Sequence, residues 1–266
     1  MSRILKSIHG RKLGLNHDGQ LLCPEGIVLG NNGKQRVLGG PSTVEIWDDF
    51  TNQGFNTSLW IATEGTDAAT SAAGILAGGI GGVLRLTTGD AGTGYAADAE
   101  QVTANTLAWQ ASNGNLCFEA RVKLSAITTC YAFLGFTDTV AAALEQPILS
   151  ATGTTFTTNA SDAVGFMFDT GMTSDNWWLT GVAANVDATM QDSGFAPVAA
   201  TYETLRVELS TTGVATFYRN GLQVGTSMAG AVTAATDLTP IFTVSKLSVA
   251  ASMTMDLDYV HVSMNR

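Results

Sequence analysis

"YETLRVELSTTGVATFYRNGLQVG" (Tyr202–Gly225) reads as two strands and the start of a third, joined by two tight turns. Leu205, Val207 and Leu209 alternate with Arg206 and Glu208, the period of two that marks a strand with one dry face. A Gly turn follows, then "VATFYR" and a stop at Asn220-Gly221. Those two residues supply both positive-φ positions of a type I′ turn, whose twist matches its flanking strands. Phe217, Leu222 and Val224 are expected to line the dry face.

The same rhythm runs outward from this hairpin. Strands are expected at 43–50, 83–87, 99–103, 116–124, 130–137, 163–169, 176–184, 203–209, 214–219, 222–226, 239–249 and 253–263. In Leu116–Leu124 the alternation is plain: Leu116, Phe118, Ala120, Val122 and Leu124 are apolar, while Glu119, Arg121 and Lys123 face the other way. Such a sheet is wetted on one side. Helical periodicity is weak, and one short helix is expected over 138–147, ended by Pro147. A dozen short strands between frequent turn signals predict an all-β sandwich or barrel.

The chain of 266 residues suits one large all-β domain with an appendage. Apolar residues make up 45% of it, which argues against disorder throughout. Charged residues reach only 14%, against a usual ~25%. No stretch attains the ~20 apolar residues that cross a bilayer, and no secretory leader is read at the start. Cys23, Cys117 and Cys130 are an odd set without metal-ligand spacing, consistent with synthesis in a reducing cytoplasm.

The net charge of −10 is unevenly spread. Residues 1–41 carry six basic groups against two acidic ones, and the remainder carries seven against 21. The leader also holds many aliphatic residues, too many for a purely electrostatic tail. It is read as a docking arm, with Arg3, Ile4, Leu5, Lys6, Ile8, Arg11, Lys12, Leu13 and Leu15 as the partner-binding residues. Its glycines and its "NHDG" and "NNGK" turns favour small ribbons of strand over a helix. Gly39-Gly40-Pro41 would link it to a body spanning 42–266.

Three stretches of the body resemble concanavalin-like jelly-roll domains of the laminin-G and family-16 glycosidase type. "IWDDFTNQGFNTSLW" (Ile46–Trp60) resembles their opening strand, Tyr202–Gly225 their late hairpin, and "MDLDYVHVS" (Met255–Ser263) their closing strand. The resemblance implies a jelly-roll β-sandwich. Hydrolases of that group carry Glu-x-Asp-x-x-Glu on one central strand, so that acid and nucleophile share a face. The pattern is absent: Asp256 and Asp258 alternate but lack a third member, and Glu203 and Glu208 project from opposite faces. The leader "MSRILKSIHGRKLGLNHDGQLLCPEGIVLG" resembles the docking arms of bacteriophage virion proteins. That resemblance implies a non-enzymatic virion protein, made in the host cytoplasm. It would decorate or cement the head by binding the major capsid protein or another virion protein, as a homo-oligomer with a trimer favoured. A tail adhesin or carbohydrate-binding module is the alternative, and a glycoside hydrolase the third reading.

Few residues invite chemistry. His9, His17 and His261 are isolated, and no Gly-x-Ser-x-Gly elbow accompanies them. "GILAGGIGGVLRL" (Gly74–Leu86) lacks the phosphate-loop spacing and reads as a turn. No cofactor or metal motif is present. Trp177-Trp178 should send one indole into the core and one outward, where it could stack on a surface glycan. Asp169, Asp175 and Asn176 beside it are a remote calcium candidate. The acidic body would repel nucleic acid, and no membrane partner is expected.

Overall fold

The computed structural model describes residues 42–66, 71–90, 94–140, 144–248 and 252–266, with the backbone of five short strands between residues 5 and 37. The chain divides into two compact units: Met1–Glu45 with Asn265–Arg266, and Ile46–Met264. In the first, β1 (Leu5–Ile8), β2 (Arg11–Leu15), β3 (Leu21–Leu22), β4 (Ile27–Leu29) and β5 (Gln35–Val37) pair in chain order as an antiparallel meander. These are the small strand ribbons that the turn signals predict.

The sandwich follows in order: β6 (Thr43–Asp48), β7 (Trp60–Glu64), β8 (Ala72–Ile75), β9 (Leu84–Thr87), β10 (Ala99–Ala104), β11 (Leu116–Leu124), β12 (Cys130–Thr137), β13 (Ile148–Thr152), β14 (Thr155–Thr158) and β15 (Ala163–Asp169). Then come β16 (Trp177–Ala183), β17 (Val186–Asp187), β18 (Gln191–Asp192), β19 (Glu203–Leu209), β20 (Ala215–Arg219), β21 (Leu222–Met228), β22 (Thr239–Lys246) and β23 (Thr254–Asn265). Sheet I runs β17-β16-β15-β12-β22-β10-β7, with β18 beside β16. Sheet II runs β21-β20-β19-β11-β23-β9-β8, with β6 beside β23. β13 and β14 form a separate hairpin. The expected all-β jelly-roll sandwich is the fold observed.

Aromatic rings fill the space between the sheets. Phe118 of sheet II meets Phe136 at 5.8 Å and Phe242 at 5.6 Å, both from sheet I. Phe166 meets Phe217 edge-on at 5.4 Å. Each such pair adds about 1 kcal/mol beyond the area it buries. The two sheets differ in how they are wetted. β11 alternates between buried and half-exposed positions along its length, whereas β12, β15 and β22 are buried at every residue.

The Asn220-Gly221 turn has the expected geometry, with φ of 50° and 80° and Arg219 opposite Leu222. Phe217 and Val224 pack inward, but Leu222 lies at the hairpin tip and is exposed. The helix expected over 138–147 is not found among its described residues, which form a loop leading into β13. Of the described residues, only Ala111–Asn113 form a helical turn, of the 3-10 type, and none belongs to a helix able to span a membrane.

Candidate functional site

Sheet I presents its outer face through alternate residues. β12 contributes Tyr131, Phe133, Gly135 and Thr137, β15 contributes Ala163, Gly165, Met167 and Asp169, and β22 contributes Ile241, Thr243 and Ser245. A row of carboxylates would have to stand here to cleave a bond held against the sheet. Asp169 is the one acid in that set. It is fully buried and accepts hydrogen bonds from the Tyr95 hydroxyl, Ser150 N and Gly171 N, each at 2.8 Å. Burial pushes its carboxyl up, and those bonds hold the rise in check.

The face is roofed. The β13–β14 hairpin lays Ile148, Leu149 and Phe156 over Tyr131, Phe133, Met167 and Trp178 in one apolar cluster. Phe156 meets the Trp178 indole edge-on at 5.5 Å. Polar bonds fix the edges: Tyr131 donates to the Ile148 carbonyl at 2.9 Å, Gln101 Oε1 accepts from Glu145 N at 3.0 Å, and Gln146 donates to Ser245 Oγ at 2.8 Å.

The roof corrects the reading of the tryptophan pair. Trp177 and Trp178 do point to opposite faces, as strand alternation requires. Trp177 enters the inter-sheet core, where its Nε1 donates to Glu203 at 2.8 Å. Trp178 points outward but lies beneath the hairpin at 8% exposure, so neither ring is offered to a sugar. The calcium reading dissolves similarly. Asp169 is spent on Tyr95 and two backbone amides, and Asn176 donates to Asp192 at 2.9 Å. No group of metal-ligating side chains occurs among the described residues.

Two carboxyls stand at the rim where β12 ends, Asp138 and Glu145, both half-buried. Thr137 donates to Glu145 Oε2, and Asp138 Oδ2 accepts from Asp162 N at 3.2 Å. Burial raises the Glu145 carboxyl above its ordinary range, with Asp138 adding to the rise. Asp138 is also raised, first by burial and further by Asp162. Asp162 itself is occupied, taking Thr233 N, Ala184 N and Thr236 Oγ1 and so tying together three loops. Neighbouring acids with tightly held protons are the raw material of acid–base catalysis.

Sheet II's outer face is open and charged. Asp256 is fully buried yet ionised: burial pushes its carboxyl up, but Arg85, at 2.6 and 2.8 Å, and Lys123, at 2.8 Å, more than reverse it. Opposite Arg121 the β23 strand bulges, because Arg121 pairs with Tyr259 and Val122 with Leu257. The extra residue, Asp258, is taken by Arg121 at 2.7 Å. Neither acid of the closing strand is free to react. The same bulge puts Tyr259 and His261 on the outer face, where the exposed Trp47 stacks on Tyr259 at 5.2 Å and 9°. His261 meets the same indole at 5.2 Å and lies in that cluster, not in a triad.

Cys117 and Cys130 are pushed up to about 12, chiefly by burial, which silences both thiols. Cys23, His9, His17 and the nine leader residues expected to bind a partner lie where no side chain is described.

No family model matches the chain, and no curated protein matches it. Solved structures do. A Bacillus licheniformis β-glucanase superposes with a TM-score of 0.55 and 14% identity, over 82% of this chain and 97% of the other. The fold is the concanavalin-like jelly roll. A family-16 endo-glucanase from Bacteroides ovatus matches with a TM-score of 0.53 at 13% identity, covering 82% and 99%. A β-1,3-1,4-glucanase (lichenase) from a mouse hindgut metagenome gives 0.53 at 11%, covering 82% and 98%. These neighbours overturn the expectation of a non-enzymatic virion protein. The sandwich superposes on sugar-cleaving enzymes, and a place on a phage head finds no support. The virion reading leaned on a leader whose composition many proteins could share. At this identity the likeness establishes the fold, and the activity has to be argued from the site.

Proposed function

We propose that the protein acts on β-linked glucans and cleaves the glycosidic bond with the rim carboxyls of sheet I. Two observations support this reading. The jelly roll's solved neighbours include a β-glucanase and a lichenase. Beside the outer face of sheet I stand two part-exposed acids, Glu145 and Asp138, each with its proton held above the ordinary range. The second observation carries the proposal, because the fold alone hosts many activities.

The chemistry differs in origin from a strand-borne acid row. Outward positions of β15 are Ala163, Gly165, Met167 and Asp169, and Asp169 is buried and held by Tyr95 and two backbone amides, so the reacting acids come from the loop that follows β12. Glu145, with Thr137 bonded to one oxygen, is the proton donor to the leaving oxygen. Asp138 is the partner that activates water or attacks carbon. Loss of the Glu145 proton at rising pH removes the acid, so activity falls as pH climbs through its raised value.

Reducing-end release from lichenan and laminarin tests this. Glu145→Gln should lower turnover at least about 100-fold and Asp138→Asn at least about tenfold, with unchanged melting temperature. Wild-type protein that releases no sugar from either glucan, or a Glu145→Gln variant that keeps full turnover, overturns the proposal.

A further inference from the structure

The exposed face of sheet II carries an aromatic platform that the reaction at sheet I does not use. Trp47 is 52% exposed, while Trp60, Trp109, Trp177 and Trp178 are all buried. An exposed indole is ordinarily mobile, but this one is held three ways. One ring face lies flat on Tyr259, the ring also meets His261, and its Nε1 donates to Asp49 at 3.0 Å. Tyr259 is fixed in turn by donating to Glu119 Oε1 at 2.8 Å. The second face of Trp47 is left to solvent, rigid and pre-positioned on a strand.

Further along the same pair of strands the surface dips. β11 and β23 set Arg121 opposite Tyr259, Glu119 opposite His261 and Cys117 opposite Ser263. Around that last pair opens a shallow depression of about 470 Å³, lined also by Glu208, Ser210 and Thr216. At roughly 3.3 Å per residue, the four steps from Tyr259 to Ser263 span about 13 Å, the reach of two to three pyranose rings.

We propose that this face binds a linear β-glucan, with one sugar ring stacked on the free face of Trp47 and the chain running along β23 to the depression. The choice of ligand rests on the glucan-directed function proposed above; the choice of surface rests on Trp47 alone. Three features select a saccharide. A single ring is too small an apolar area for a protein interface of roughly 800 Å² per partner. The ring's surroundings are hydroxyls, carboxylates and an imidazole, which bond sugar hydroxyls. The neighbouring charges are already paired: Arg121 with Asp258, and Arg206 with Glu208 at 3.2 Å. A neutral ligand therefore meets no unbalanced field. Because the indole is immobilised beforehand, stacking a ring on it costs little ordering entropy.

Acrylamide quenching of intrinsic fluorescence tests this directly, since the other four indoles are buried. Cellohexaose, laminarihexaose or a lichenan-derived oligosaccharide should shield Trp47 from the quencher. Trp47→Ala should abolish that change and weaken retardation in a lichenan affinity gel at least about tenfold. Ser263→Trp, which fills the depression, should weaken it as well. Both variants change exposed or rim positions, and an unchanged melting curve confirms their fold. If no saccharide shields Trp47, or if Trp47→Ala is retarded as strongly as wild type, the platform proposal fails. The two readings fail separately. Shielding of Trp47 without sugar release sinks the hydrolytic reading only, and sugar release with an indifferent Trp47 sinks this one only.

Discussion

Sheets I and II are built from strands of similar length, yet one is dry on both faces and the other on one. In sheet I, the residues that alternate away from the core are Tyr131, Phe133, Met167, Trp178 and Ile241, and a hairpin covers them. In sheet II the corresponding residues are Glu119, Arg121, Lys123, Arg206 and Tyr218, paired with one another or with Asp256 and Asp258 and left half-exposed to water. A jelly roll thus has two outer faces to dispose of, and here the roof has been spent on the one nearest the proposed acids. What reaches sheet I must come in at its rim, while sheet II offers a broad platform.

The sharpest way to break this contrast is to truncate one outward residue on each sheet. Phe133→Ala should cost about 4 kcal/mol, as expected for a fully buried aromatic, while Thr204→Ala on sheet II should cost less than about 0.5 kcal/mol. Urea titrations at one pH measure both, and equal losses would show that the roof contributes no packing. A smaller effect comes from the inner face of sheet I. Glu100 is fully buried, has no hydrogen-bond partner for either oxygen, and is pushed up to about 8 by burial and then by Glu64 across the strand pair. Its folded value lies above its unfolded one. The stability tied to its protonated form is therefore whole below about pH 4.5 and drains away as pH rises through about 8. Melting curves from pH 5 to pH 9 should fall, and Glu100→Gln should flatten them; parallel curves would disprove the assignment. The smallest effect belongs to the sheet II hairpin. A side chain at Gly221 meets no neighbour but inherits a φ of 80°, so Gly221→Val should cost about 1–2 kcal/mol through backbone strain alone.

The contrast also explains what could be read without coordinates. Alternation in "LCFEARVKL" exposed sheet II and its dry face directly, because one side of that sheet meets water. Sheet I strands such as "CYAFLGFT" and "AVGFMFD" betray their existence by apolar content but hide which residues face which way, since both sides are buried. The roof itself is invisible: "ILSATGTTFTTN" is rich in Thr and Ser and has the look of a loop, so nothing in it shows that the outward member of the tryptophan pair, Trp178, is covered. β7 and β8, "WIATE" and "AAGI", are short and small-sided and leave little signal. The rim acids and the Trp47 platform needed tertiary pairing. Nothing local sets Trp47 against Tyr259, or turns Tyr259 outward through a bulge one residue long.

The two latest strands of the sandwich, β22 and β23, each lie in the interior of a sheet, between neighbours made far earlier. A growing polypeptide cannot close sheet I until residues 239–246 have been synthesised, nor sheet II until those beyond 254 have followed. Until then it presents the unpaired edges of β10, β12, β11 and β9, with their backbone amides and carbonyls open to solvent or to other chains. Production of this protein should therefore be limited by the exposure time of those edges, and slower translation or a chaperone that shields strands should matter more to its yield than the stability of the finished fold.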